Sequence, residues 1–181
     1  QPNAEFRSKM SNLIIRLAND SDAEELQSIC KSCFYDTFTG TCTADDMENY
    51  LTKTFPLERI QQEINDADCM LYLLVDDSKI VGYAKLGHQV LPELSNFRTI
   101  ELERLYIKKE YFGIGAGNML MKKCLEQALE EKVEYIFLGV WEHNYRAQKF
   151  YSNYGFEVFG QHPFPIETTP QTDLWMKKKM N

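Results

Sequence analysis

Leu105-Tyr106-Ile107-Lys108-Lys109-Glu110-Tyr111-Phe112-Gly113-Ile114-Gly115-Ala116-Gly117-Asn118-Met119-Leu120 changes periodicity twice within one short stretch. It starts as a strand, passes through a turn holding Gly113, Gly115 and Gly117, and runs into apolar positions at Leu120, Met121, Cys124, Leu125, Ala128 and Leu129 that repeat as one helix face. A glycine-rich turn feeding a helix offers free backbone N–H groups and the positive end of the helix dipole, which suits a phosphate or pyrophosphate. Such a turn also serves simply to reverse a chain. Two familiar phosphate loops are excluded by spacing. A P-loop requires Lys-Ser/Thr after its last glycine, whereas Asn118-Met119 follows Gly117, and the dinucleotide fingerprint requires G-x-G-x-x-G, whereas the spacing here is G-x-G-x-G.

Phe112-Gly113-Ile114-Gly115-Ala116-Gly117 is similar to the coenzyme A turn of the GNAT superfamily of N-acyltransferases, Gln/Arg-x-x-Gly-x-Gly/Ala, with Phe112 where Gln or Arg is usual. A second block, Asn144-Tyr145-Arg146-Ala147-Gln148-Lys149-Phe150-Tyr151-Ser152-Asn153-Tyr154-Gly155-Phe156, resembles that family's Asn-x-x-Ala-x-x-Phe-Tyr…Gly-Phe signature. Within the superfamily, Glu101 to Ile107, Leu138 to Asn144 and Gln171 to Leu174 resemble the bacterial PaiA-type polyamine N-acetyltransferases, from about Leu13 to the C-terminus. The resemblance implies a GNAT fold: a twisted, mixed, mostly antiparallel sheet of six or seven strands, splayed beside Leu105 to Ile107 and flanked by about four helices. It further implies acetyl transfer from acetyl-CoA to a primary amine of spermidine or spermine. Protein or peptide amines are the runner-up acceptors, and a non-catalytic acyl-CoA-binding regulator is the alternative from another class. A homodimer is an allowed assembly.

Length and composition agree with one α/β domain over residues 10–181, large enough to bury roughly two-thirds of its unfolded surface. Residues 1–9 read as a non-native remnant before a start at Met10. No apolar run approaches the ~18 residues of a membrane span, so no membrane partner is expected. A net charge of −7 argues against a nucleic-acid-binding surface. The five cysteines, an odd number in a chain that needs no disulfide staples, point to the cytoplasm, and Cys30-Lys-Ser-Cys33 sits in an amphipathic helical pattern that reads as ordinary semi-buried thiols. No metal is expected.

In chain order the pattern predicts a strand at Leu13 to Leu17 and a helix opened by a Ser21-Asp22-Ala23-Glu24 capping box. A second helix follows Thr43, and a third follows Phe55-Pro56. Met70 to Val75 and Lys79 to Leu86 form a hairpin, and a long strand spans Thr99 to Ile107. After the glycine turn and its helix come a strand at Val133 to Val140, a helix from Asn144 ended by Gly155, and a terminal hairpin of Phe156 to Phe159 with Thr172 to Met176. The hairpin encloses the loop Gly160 to Gln171.

Amine acetylation sets chemical requirements of its own. An alkylammonium with a pKa near 10 is about 0.1% neutral at pH 7, so exposing its lone pair costs roughly 4 kcal/mol unless a base takes the proton. Glu101 and Glu103 alternate onto one face of the strand entering the turn, and Glu103, acting through water, is the expected base. Glu101, Trp141 and Glu142 are the candidate acceptor-binding residues, with Glu101 and Glu142 as alternate bases. From the resemblance, a backbone N–H among Leu105, Tyr106 and Ile107 serves the thioester oxygen and Tyr151 protonates the leaving thiolate. Phe112, Gly113, Ile114, Gly115, Ala116, Gly117, Asn118 and Asn144 complete the cofactor site. Phe150 and Tyr154 fit the helix stripe as core residues.

Overall fold

The computed structural model of the chain describes residues 12–180, so the reading of residues 1–9 and Met10 lies outside it. The strands are β1 (Leu13–Leu17), β2 (Cys69–Asp76), β3 (Lys79–Gly87), β4 (Thr99–Ile107), β5 (Tyr135–Trp141), β6 (Glu157–Pro163) and β7 (Thr172–Lys179). The helices are α1 (Ala23–Phe38), α2 (Ala44–Thr54), α3 (Leu57–Asn65), α4 (Ala116–Glu130) and α5 (Tyr145–Asn153). One sheet runs in the order β1-β2-β3-β4-β5-β7-β6, antiparallel throughout except where β4 and β5 pair in parallel across the α4 crossover. The described residues hold five α-helices, one more than the resemblance implies and the same five that the chain-order reading gives, including the break at Phe55-Pro56.

Each face of the sheet carries its own core. Val81, Ala84, Leu86, Ile100 and Leu102 pack beneath α4 with Leu120, Met121 and Cys124. On the opposite face Leu71, Leu73, Val75 and Tyr83 pack against α1–α3 through Leu26, Ile29 and Phe34. The central strands are covered on both sides, so Leu71 to Val75 is continuously apolar instead of alternating.

Caps and turns are set by single residues. Thr43 accepts the Asp46 N–H as N-cap of α2, and Asp77 and Ser78, at φ of 43° and 71°, turn the β2–β3 hairpin. The box expected at Ser21-Glu24 lies two residues earlier: Asn19 caps a short 3₁₀ turn, and Asp22 answers it by accepting the Asn19 N–H. At the end of α5, Gly155 (φ 85°) donates to Ser152 while Phe156 donates to Tyr151, which closes the helix as a Schellman motif. β6 runs on to Pro163, beyond the expected Phe159, because an irregularity between Val158 and Gly160 lets pairing with β7 resume.

Two irregularities of β4 create the cleft. Its pairing with β5 stops after Glu101↔Phe137, so the strands separate from Leu102 onward, earlier than the expected Leu105. Its pairing with β3 skips Glu103, with Leu86↔Leu102 followed by Lys85↔Arg104. That bulge shifts the side-chain phase, so Leu105 and Ile107 join Ile100 and Leu102 on the α4 face, whereas Tyr106 joins the core of α1–α3.

Candidate active site

The parting of β4 from β5 opens a cleft of about 720 Å³ lined from both faces of the sheet. On the α4 side, Gly113 (φ 76°) and Gly115 (φ 86°) adopt left-handed conformations that side chains resist. The first bond of α4 is Met119 N–H to Gly115 C=O at 3.1 Å, which leaves the N–H groups of Ala116, Gly117 and Asn118 without helical partners. No side chain caps this end and its first turn holds no acidic residue. A Cβ at Gly117 would sit 3.6 Å from the Phe150 ring, so α5 closes over the helix start. Uncapped donors at a bare helix terminus fit a pyrophosphate.

Phe112 lines the same cleft, and the Arg146 guanidinium lies 3.5 Å from its ring centroid. The position where the family pattern carries Gln or Arg is therefore apolar, while α5 brings a cation to it. Asn144 lines the cleft and caps α5 by accepting the Ala147 N–H at 3.2 Å. Asn118 accepts the Tyr154 hydroxyl at 2.8 Å. Ile114 and Ala116 do not line the cleft, because both turn into the core beneath α4.

Leu105, Tyr106 and Ile107 form the β4 wall. Lys108 donates its N–H to Val81 at 2.8 Å, toward β3, and backbone direction alternates along a strand. The N–H groups of Leu105 and Ile107 consequently aim at the unpaired edge. Tyr151 lines the cleft and is otherwise buried, and that burial raises its phenol well above the ordinary value. The hydroxyl stays protonated at neutral pH.

The wall on the α1–α3 face is aromatic. Phe34 stacks on Phe38 and Tyr50, Phe164 packs beside all three, and Trp141 meets Phe38 with centroids 5.1 Å apart. Phe164 is held by the β6–β7 loop, in which the Thr168 and Thr169 hydroxyls donate to buried Asp46 at 2.8 and 2.7 Å. Gln171 ties the same loop to Trp141 and Thr41. The loop that the sequence left unplaced therefore helps wall the cleft.

The expected carboxylates fare unequally. Glu103 reaches the cleft, but its oxygen lies 2.6 Å from the buried Lys85 ammonium, which Glu63 also holds at 3.0 Å. Glu63 in turn accepts both guanidinium nitrogens of Arg104, at 2.8 and 2.9 Å. Glu103 therefore shares one ammonium with Glu63 in a network that also includes Arg104. Glu101 lies outside the cleft beside the last β4–β5 pair, where burial, with the Glu103 charge adding, pushes its carboxyl up to about 7. Glu142 is also outside it, next to His143 at 3.7 Å, whereas Trp141 lines it.

Sequence reasoning missed Asp173, which lines the cleft from β7 opposite Trp141. Burial pushes its carboxyl up to about 7, and its Oδ1 is buried without a hydrogen-bond partner. It stands inside the Gln171 to Leu174 run that resembles the PaiA-type proteins, but only the β5–β7 pairing places it here. Cys30 and Cys33 lie buried in α1 with free thiols, which burial pushes up to about 11 and about 12.

Comparison with known proteins agrees with this geometry. A sequence model described as the acetyltransferase (GNAT) family matches residues 24–156. An uncharacterized N-acetyltransferase of Lactobacillus delbrueckii subsp. lactis, from the pepI 3' region, is 31% identical over 172 residues, covering 94% of this chain and 99% of that protein. The spermine/spermidine N(1)-acetyltransferase of Bacillus subtilis is 28% identical over 102 residues, covering 54% of this chain and 66% of that one. Among solved structures, the PaiA N-acetyltransferase of Thermoplasma acidophilum in complex with coenzyme A superposes with a TM-score of 0.77 at 22% identity, covering 93% of this chain and 99% of that one. The bare helix terminus at a parted parallel strand pair and the family match over most of the chain lead to one assignment: this protein belongs to the GNAT family of acetyl-CoA-dependent N-acetyltransferases.

Proposed function

We propose that this enzyme acetylates a primary amine of an aliphatic polyamine such as spermidine or spermine. The observation that carries the reading is the recess of Phe34, Phe38, Tyr50, Phe164 and Trp141 with the Asp173 carboxylate beside it. Aromatic faces attract an alkylammonium and accommodate its methylenes, and a buried carboxylate fixes one charged end. The partial similarity to a spermine/spermidine acetyltransferase supports the same acceptor class.

Acetyl-CoA supplies the activated acetyl group. In this reading the N–H groups of Ala116, Gly117 and Asn118 hold its pyrophosphate, with Arg146 alongside as a cation. An N–H of Leu105 or Ile107 donates to the carbonyl oxygen as it gains charge. Tyr151 offers a proton to the leaving sulfur. Its raised pKa makes outright transfer costlier than the ~2 kcal/mol expected from ordinary phenol and thiol values, so a preorganised hydrogen bond in a dry cleft is its main contribution. Glu103, tied to Lys85, holds the bulged strand in this reading.

A thiol-release assay with acetyl-CoA across polyamines, amino acids and peptides tests the acceptor. Spermidine or spermine is expected to give the highest kcat/KM. A peptide amine outperforming every polyamine would replace the substrate, and tight acetyl-CoA binding without turnover on any amine would leave a regulatory role.

A further inference from the structure

Three cleft carboxylates, Asp36, Glu103 and Asp173, are candidates to meet an incoming cation. Asp36 is paired with Lys109 at 3.1 Å and Glu103 with Lys85 at 2.6 Å. Asp173 differs from both: the one basic side chain within 4 Å of it among the described residues is His162, whose Nε2 lies 3.9 Å from its Oδ2, and its Oδ1 has no hydrogen-bond partner. The histidine is constrained as well. Its Nδ1 lies 2.9 Å from the Pro163 carbonyl, which can only accept, so Nδ1 carries the proton. Nε2, buried and unpartnered, faces the carboxylate, while the ring is clamped by stacking on Trp175 at 4.0 Å. A cation entering the cleft would meet the Asp173 carboxylate, with His162, which does not itself line the cleft, behind it.

We propose that Asp173 receives the acceptor's ammonium group and takes the first proton from it, with His162 as the positioning residue behind the carboxylate. The assignment rests on the amine-acetylating reading above. The groups facing Asp173 are His162 from β6, Tyr106 from β4 and Tyr50 from α2; both phenols are raised chiefly by burial, so neither competes for the proton near neutrality. Burial also holds the carboxyl near 7, which suits a group that must gain and release a proton at physiological pH. An ammonium loses two protons in becoming an amide. The first passes to Asp173, which frees the nitrogen lone pair to form the N–C bond. The second leaves that nitrogen as the C–S bond breaks and accounts for the proton that Tyr151 lends to the sulfur. Asp173 returns its proton to water, and one proton is released per turnover.

The test uses the full-length chain and spermidine. In the wild-type protein without acetyl-CoA, carbon-13 NMR of the Asp173 carboxyl is expected to titrate near 7 and to move at least about one pH unit lower with saturating spermidine. Asp173→Asn is expected to weaken spermidine binding by about tenfold or more in calorimetry. It should also lower kcat roughly a hundredfold and remove the ascending limb near 7 of the kcat/KM–pH profile for spermidine, with acetyl-CoA affinity unchanged. His162→Gln should shift that limb while retaining most of kcat. A carboxyl whose titration ignores spermidine, or an Asp173→Asn enzyme that keeps wild-type kcat and the same limb, would overturn the assignment. If the wild type acetylates other amines but neither binds nor turns over spermidine, the polyamine reading fails; Asp173 is then judged by the same titration with the amine that is turned over.

Discussion

Tyr151 and Asp173 differ in how openly the sequence announces them. Tyr151 stands inside a family motif, and burial at the cleft raises its phenol, so the hydroxyl remains a donor over the whole working pH range. Tyr151→Phe preserves the ring, and the expectation is a normally folded protein with near-native acetyl-CoA KM and kcat reduced roughly 10²–10⁴-fold, as read by steady-state kinetics. Retention of near-wild-type kcat with chemistry rate-limiting would make Tyr151 a packing residue. Asp173 predicts a stability signature. Its folded carboxyl titrates near 7 against about 3.9 for an exposed aspartate, so the folded chain holds that proton more tightly. The stabilisation is complete below about pH 4 and is lost as pH rises through about 7. The Tm of Asp173→Asn should accordingly gain on the wild type across that window and exceed it at pH 8, with Glu101 titrating alike in both proteins. Nothing in the local sequence reveals this. Thr172-Asp173-Leu174 stands in a run that resembles the PaiA-type proteins, yet its burial arises only where β5 lies beside it. Glu103, by contrast, is conspicuous in sequence yet engaged in the cleft by Lys85, a partner eighteen residues upstream in the adjacent strand whose pairing depends on the bulge.

The glycine turn and α4 were legible because the sheet-to-helix change and the glycines are local signals. The bulge at Glu103 was not, since strict alternation would place Leu105 and Ile107 on the same face as Glu101, and one skipped residue reverses that assignment. A test of the turn is Gly117→Val. Phe150 lies in contact range of any Cβ there, so branched methyls must crowd either that ring or the uncapped N–H groups. The variant is expected to fold with the acetyl-CoA KM raised about tenfold, equivalent to losing one charge-assisted hydrogen bond, and an unchanged KM would remove the pyrophosphate from this turn. The β6–β7 loop gives a second element-scale test. Thr168→Val with Thr169→Val leaves buried Asp46 without its two hydroxyl donors and loosens Phe164. The double variant should raise the KM for the acceptor more than that for acetyl-CoA; equal effects on both would indicate that the loop supports the fold alone. Pro165 and Pro170 mark this segment as irregular, but its anchorage to α2 depends on contacts more than a hundred residues apart, beyond what periodicity can show.

Across the whole molecule the sheet separates two jobs. The α4 face presents backbone donors and Arg146 for an anion, the α1–α3 face presents aromatic rings and Asp173 for a cation, and the parted strands β4 and β5 join the two in one cleft. The mixed direction of the sheet followed from the motif resemblance, whereas the aromatic recess has no sequence signal of its own beyond Trp141, because a stripe covering a core and one walling a cleft share the same spacing. A net charge of −7 favours cationic acceptors generally, so charge alone does not separate a polyamine from a lysine-rich peptide. The deciding measurement is a single reaction containing acetyl-CoA with equal concentrations of spermidine and an unblocked lysine-containing peptide, its products resolved by mass spectrometry over the first turnovers. The account predicts mono-acetylated spermidine as the dominant product, in step with coenzyme A release; preferential acetylation of the peptide, or coenzyme A release with neither amine modified, would contradict it.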